Sequence, residues 1–120
     1  MYTILIADDS TFMRMWLKKL IQQQGYHNIS EATDGLEAIE QYKKLRPDIV
    51  FLDITMPNIN GLTALKKIKA FDAKANVVMC SAIGTDSNVM EALQLGAKDF
   101  IVKPHFNHLS SILNKLETKD

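Results

Sequence analysis

Two apolar runs in this chain stop abruptly at acids. Asp48-Ile49-Val50-Phe51-Leu52-Asp53 sets four apolar residues directly before a carboxylate, and Thr3-Ile4-Leu5-Ile6-Ala7 runs into Asp8-Asp9. An unbroken apolar run of this length predicts a strand buried on both faces rather than one with a solvated side. Such a strand needs helices above and below it, and it delivers its acid to the rim of a sheet. The segment after Asp53, Ile54-Thr55-Met56-Pro57-Asn58-Ile59-Asn60-Gly61, is rich in turn residues and reads as a loop. A lone acid in that place only terminates a strand. Function depends on what other chemistry converges on it.

The rest of the chain repeats the pattern. After Asp8-Asp9, Ser10 or Thr11 can cap a helix in which Phe12, Met13, Trp16, Leu17, Leu20 and Ile21 recur at helical spacing. Its methionines and tryptophan are expected to pack into the core, and the helix is expected to stop near Gly25. Asn28-Ile29-Ser30-Glu31-Ala32 is a more polar strand, suited to an edge. The turn Thr33-Asp34-Gly35 leads into a second helix from Leu36 to Tyr42, and Leu62, Leu65 and Ile68 mark a third that starts after Gly61. Asn76-Val77-Val78-Met79-Cys80 is a strand leading to Ser81-Ala82. Ser87, Val89, Met90, Ala92 and Leu93 suggest a fourth helix ending at Gly96. Asp99-Phe100-Ile101-Val102 is a fifth strand ending at Lys103-Pro104, and Leu109, Ile112, Leu113 and Leu116 make the last helix. Strand and helix alternate five times over 120 residues. That predicts one α/β domain, residues 1–120, with a doubly wound parallel sheet covered by helices on both faces. Right-handed crossovers put all strand carboxyl ends on one edge, where ligands of such sheets bind.

Composition narrows the function. Lys+Arg and Asp+Glu are both 14, so the formal net charge is zero and a nucleic-acid footprint is not expected. No run approaches the roughly 20 apolar residues of a membrane span, and none resembles a signal peptide. The single cysteine, Cys80, cannot form an intrachain disulfide and is expected to act as a small buried hydrophobe. These features predict a cytoplasmic protein. Nothing demands a dimer, so a monomer is expected.

The strand ends now collect Asp8, Asp9, Asp53, Ser81 and Lys103. Three carboxylates and one ammonium leave a charge of −2. Like charges about 4 Å apart repel by roughly 4 kcal/mol at an effective dielectric near 20. The surplus invites a hard divalent cation, and a site with few protein ligands and retained waters suits Mg²⁺. A carboxylate beside Mg²⁺ and a lysine is placed to attack phosphorus, with Lys103 on one phosphoryl oxygen and Ser81 donating to another.

Asp8-Asp9, Asp53, Ser81 and Lys103-Pro104, in this order and on these elements, resemble the response-regulator receiver domain, and the resemblance spans the whole chain. Within that family the chain is most similar to the free-standing chemotaxis regulators. The resemblance implies a flavodoxin-like (βα)5 fold with strand order 2-1-3-4-5. It implies that Asp53 is the phosphoacceptor, taking a phosphoryl group from a CheA-like histidine kinase. Asp9, Asp53 and the backbone carbonyl of Thr55 would bind Mg²⁺ directly, and Asp8 mainly through water. Lys103 would bind the phosphoryl group, and its bond to Pro104 is expected to be cis. Ser81 and Phe100 would be the switch residues, although the family often has Tyr where Phe100 stands and Phe100 could equally be plain core. Thr55 and Ile83 hold positions that tune dephosphorylation. Such a protein is not an enzyme in the ordinary sense. It takes part in its own phosphorylation and dephosphorylation and signals by binding other proteins.

With no second domain expected after Leu116, the output would be a separate protein. A flagellar switch component is the leading expectation, with a phosphatase as a possible further partner. Val89 and Leu93 could form a ridge facing that partner or could face the core. The nearest rival role is a phosphorelay intermediate that passes phosphate to a histidine phosphotransferase. Two other classes are more remote. A flavin-binding module shares the sheet order, but Asp8-Asp9 would repel its phosphate. A haloacid-type phosphatase needs a second Asp where Thr55 stands. His27 shows no ligand spacing, and His105 and His108, three apart at an expected helix start, are read as surface residues that could bind metal.

Overall fold

The computed structural model describes residues 2–82 and 86–117. Strand and helix alternate as β1 (Thr3–Ala7), α1 (Thr11–Gln23), β2 (Asn28–Ala32), α2 (Gly35–Leu45), β3 (Ile49–Asp53), α3 (Gly61–Phe71), β4 (Val77–Ser81), α4 (Asp86–Gln94), β5 (Asp99–Val102) and α5 (Leu109–Glu117). The five strands are all parallel, in the order β2-β1-β3-β4-β5. This is the doubly wound, flavodoxin-like α/β fold.

The two apolar faces of the sheet can be followed along each strand. Leu5, Ala7, Val50, Leu52, Val77 and Met79 point to the layer holding Ala38, Ile39 and Tyr42 of α2, Ala64, Leu65 and Ile68 of α3, and Ala92 of α4. Ile4, Ile6, Ile49, Phe51, Val78 and Cys80 point the other way, to Leu17 and Ile21 of α1 and to Leu109, Ile112, Leu113 and Leu116 of α5. Successive side chains of a strand alternate between faces, so an unbroken apolar run is what a doubly covered strand requires. Every residue of β3 and β4 is buried, whereas the polar β2 lies at one edge and β5 at the other.

Helix starts follow from local polar chemistry. Ser10 caps α1, its side chain accepting from the Met13 N–H at 3.2 Å. Asp34 caps α2 by accepting from the Glu37 N–H at 2.7 Å, while the Glu37 carboxylate reaches back to the Thr33 N–H at 2.6 Å. Asn60 caps α3 through the Thr63 N–H at 2.9 Å. The second and third helices therefore begin at Gly35 and Gly61, a residue earlier than the apolar pattern alone suggests.

One expectation fails. The Met and Trp residues of α1 do not all enter the core: Phe12 is 69% exposed, Met15 64% and Trp16 36%. At about 100° per residue, Leu17 and Ile21 centre the buried stripe and Met13 and Leu20 flank it. Trp16 and Met15 fall about 120–140° from that centre and Phe12 nearly opposite it. Trp16 instead packs sideways, its ring 5.8 Å from Phe12 and 5.6 Å edge-on from Phe106.

Candidate functional site

Strand register assembles the site. Ala7 pairs with Leu52, so Asp8 emerges beside Asp53. Asp53 pairs with Cys80, putting Ser81 one residue beyond it, and Ser81 pairs with Val102, so Lys103 follows directly. Lys103 then donates its backbone N–H to the Ser81 carbonyl at 2.8 Å. Its ammonium lies 2.9 Å from Asp8 Oδ2 and 3.1 Å from Asp53 Oδ1. Carboxylate oxygens of Asp8, Asp9 and Asp53 all fall within 4.8 Å of one another, and this is the only such cluster of potential metal-binding side chains among the described residues. Asp8, Asp53 and Ser81 are buried, while Asp9 faces solvent.

The electrostatics follow from that crowding. The Asp53 carboxyl is pushed up to about 6, first by burial and then by the neighbouring Asp8 charge; Lys103 pulls it back and Asp9 pushes it further. Burial alone would lower Lys103, but its hydrogen bond to Asp8 and the charge of Asp53 outweigh this and hold its ammonium above the ordinary lysine range. Three acids against one base leave the −2 surplus expected from the sequence. The donor set is entirely oxygen, and Asp9 opens to water, which fits a hydrated hard cation such as Mg²⁺. Asp8 is the most committed of the three acids. Its Oδ1 accepts from the Ser10 N–H at 2.9 Å and its Oδ2 from Lys103.

The loop that carries Asp53 onward is pinned to the sheet. The Ile54 N–H donates to the Cys80 carbonyl at 3.1 Å, and the Gly61 N–H to the Ile54 carbonyl at 2.6 Å. A Cβ on Gly61 would lie 1.9 Å from the Asp53 carbonyl oxygen, so only glycine allows α3 to start there. Thr55, two residues past Asp53, is exposed. The Lys103–Pro104 peptide is cis, as the resemblance implied.

Other singled-out residues lie further out. Phe100 is half-buried against the α2–α3–α4 layer, three residues before Lys103. It also lines a surface cavity of about 180 Å³ between β5 and α5, with His108 and Ile112. Leu93 is exposed and Val89 half-buried, but Met90, at 58%, is the most exposed apolar residue of α4. His105 and His108 precede α5 rather than sitting on it, and both are exposed. Burial pushes the Cys80 thiol up, so it behaves as the small hydrophobe expected. Ile83 lies outside the described residues.

Several site residues were not foreseen. A small cavity of about 10 Å³ beneath the acids is lined by Met13, Leu17 and Phe106 as well as by Asp8, Asp53 and Lys103. Arg14 donates from Nη1 to the Asp8 carbonyl at 2.7 Å and from Nε to Glu31 at 2.9 Å.

The sequence pattern described as the response regulator receiver domain matches residues 4–115. The chain belongs to the response-regulator receiver family. Chemotaxis protein CheY of Bacillus subtilis is 52% identical over 103 residues, covering 86% of each chain. CheY of Thermotoga maritima is 54% identical over 101 residues, covering 84% of each. Among solved structures, a chain of the CheX–CheY–BeF3–Mg²⁺ complex from Borrelia burgdorferi superposes with a TM-score of 0.92 at 40% identity, over 98% of this chain and 90% of that one. This receiver domain is thus a two-component signalling protein related to chemotaxis regulators, and its acidic pocket is the Asp8, Asp9 and Asp53 cluster. Among its described residues no helix is long and apolar enough to cross a membrane.

Proposed function

We propose that the chain is a single receiver domain that accepts a phosphoryl group on Asp53 from a CheA-like histidine kinase and then signals through phosphorylation-dependent protein binding in chemotaxis. The observation that carries this reading is the Lys103 ammonium held at 2.9 Å from Asp8 and 3.1 Å from Asp53, with Asp9 in the same cluster. In the transfer, an Asp53 carboxylate oxygen forms a bond to phosphorus as the phosphorus–nitrogen bond of phosphohistidine breaks. The electron pair leaves with the imidazole, which takes up a proton. Lys103 holds a phosphoryl oxygen, Ser81 donates to another once that group is in place, and Asp8 keeps Lys103 aimed. Asp9, Asp53 and the Thr55 carbonyl would hold Mg²⁺, with Asp8 acting through water, and the ion would supply positive charge to offset the phosphoryl oxygens.

Ser81 and Phe100 are the elements that would report the new charge to the surface formed by α4, β5 and α5. The output partner suits a flagellar switch component, and a CheX-like protein is a further partner by analogy with the Borrelia complex. The similarity to chemotaxis regulators favours this role over a phosphorelay intermediate. The deciding experiment is intact mass after incubation with a small-molecule phosphodonor, with and without Mg²⁺, for the native chain and Asp53→Asn. One added phosphoryl group that requires both Mg²⁺ and Asp53 is the expected result. No gain in the native chain under any of these conditions would end the reading.

A further inference from the structure

We propose that Arg14 is a positioning residue for the acidic turn: it fixes the Asp8–Asp9 peptide so that the carboxylates keep a geometry that binds a divalent cation. This rests on the reading of the cluster as a Mg²⁺ site. The side chain of Arg14 is only 12% exposed, the same as that of Lys103 at the centre of the site. It lies back across the turn between β1 and α1 and joins three segments. Nη1 donates to the Asp8 carbonyl at 2.7 Å, Nε to Glu31 on β2 at 2.9 Å, and Nη2 to the Thr11 hydroxyl at 3.4 Å.

The Asp8 residue is thereby held at every polar atom. Its N–H donates to the Ala32 carbonyl at 3.1 Å, its two carboxylate oxygens are taken by Ser10 and Lys103, and its carbonyl is taken by Arg14. That carbonyl belongs to the peptide leading into Asp9. The plane of this peptide sets the direction in which the exposed Asp9 carboxylate leaves the backbone. Glu31 also accepts from Lys18 at 3.4 Å, so Arg14 has a partly neutralised anchor on the edge strand. Groups that orient metal ligands from behind typically matter about 10–100-fold in affinity.

Charge and position predict opposite signs. Replacing Arg14 with a neutral residue removes a positive charge near a cation site, which by Coulomb's law strengthens Mg²⁺ binding. Loss of positioning weakens it. The test is calorimetric titration of MgCl2 into the native chain, Arg14→Met, Arg14→Lys and Glu31→Gln, with thermal unfolding in the absence of Mg²⁺ as the folding control. The expected result is a dissociation constant about tenfold higher for Arg14→Met. Arg14→Lys, which keeps the charge but cannot span both acceptors, should fall between, and Glu31→Gln should show a rise smaller than that of Arg14→Met. Unchanged or tighter binding by Arg14→Met, with native binding intact, overturns the positioning role. If Arg14→Met does not fold, a native-like constant for both Arg14→Lys and Glu31→Gln overturns it instead. A native chain that binds no Mg²⁺ removes the site reading and this role with it.

Discussion

Two aspartates bracket α3, and their protonation is driven in opposite directions. Asp53 precedes the loop that enters the helix, and Asp72 closes its far end as the C-cap, after 11 residues of helix that rise about 16 Å at 1.5 Å per residue. Each has a cation nearby: Lys103 at 3.1 Å from Asp53, and Arg46 at 3.6 Å from Asp72. Yet Asp53 is pushed up to about 6, whereas Asp72 is held below the usual carboxylate range. The Tyr42 hydroxyl donates to Asp72 at 2.8 Å and the Lys74 N–H at 3.1 Å, and these bonds act before Arg46 does. Asp53 is buried beside two more carboxylates. A nearby cation therefore does not decide the state of an acid. Desolvation, like charges and hydrogen-bond donors do. The acid that the fold leaves uncomfortable is the one in the acidic cluster at the carboxyl edge of the sheet, where a cation can relieve it.

The largest expected effect strikes the frame that keeps Asp53 buried. Gly61→Ala would drive a Cβ to 1.9 Å from the Asp53 carbonyl oxygen, so the backbone must move. A loss of about 3 kcal/mol or more is expected in urea unfolding. If burial in this frame is what raises Asp53, its carboxyl should also titrate closer to the ordinary range in the variant, as read by carbon NMR. An unshifted titration would mean that the neighbouring acids, not burial, dominate.

Lys103→Met should come next. It leaves three clustered carboxylates with no base among them, and removing one partner of a buried ion pair costs about 3 kcal/mol. Partial protonation of the acids limits the loss: without Lys103 to pull it down, Asp53 should take its proton above about pH 6, so the deficit in urea unfolding should shrink as pH falls toward that value. Added Mg²⁺ should recover part of it. A variant as stable as the native chain at neutral pH would show that the −2 surplus is already well solvated.

Asp53→Asn should change stability in the other direction. The unfolded carboxyl titrates near 3.8 and the folded one near 6, so between these values the native state holds the extra proton. Stability contributed by this group is full below about pH 4, falls as pH rises through about 6, and stays low above it. The variant lacks that slope. It should therefore be more stable than the native chain by about 1–2 kcal/mol at pH 7.5 without Mg²⁺, with the difference vanishing near pH 4. Mg²⁺ should narrow the gap at pH 7.5 by stabilising the native chain more, because only the folded native site gathers all the carboxylates.

Legibility in the sequence follows the same physics. Strands β1, β3 and β4 were readable because a doubly covered strand must be apolar without interruption, and the clustered acids were readable because they follow the runs of β1 and β3. Thr3–Ala7 and Asp99–Val102 match the expected limits. The α1 surface was not readable in the same way. Phe12 and Trp16 recur at helical spacing but lie well round the helix from Leu17 and Ile21, and Trp16 finds its cover sideways, against Phe106 from a distant loop. Arg14 was missed for a related reason. Its acceptors are a backbone carbonyl and a side chain 17 residues away, and neither leaves a mark in local periodicity.

The smallest effects should appear at Asp72. Tyr42 is buried at the base of α2, and its hydroxyl is the first cause of the lowered Asp72 titration. Tyr42→Phe removes one donor and leaves the ring packed edge-on against Phe71, 6.3 Å between centroids. A loss of about 1 kcal/mol is expected, with the Asp72 titration moving up toward the ordinary range. Arg46 is 61% exposed and lies 5.3 Å from the Phe71 ring centroid as well as 3.6 Å from Asp72. An exposed pair of this kind is worth about 0–1 kcal/mol, so Arg46→Ala should be nearly silent and silent altogether in high salt. The two variants separate the causes: Tyr42→Phe should shift the Asp72 titration more than Arg46→Ala does. The reverse order would make charge the controlling influence at this end of α3. The contrast with Asp53 would then come down to the balance of cations and anions around each acid, with hydrogen-bond donors secondary.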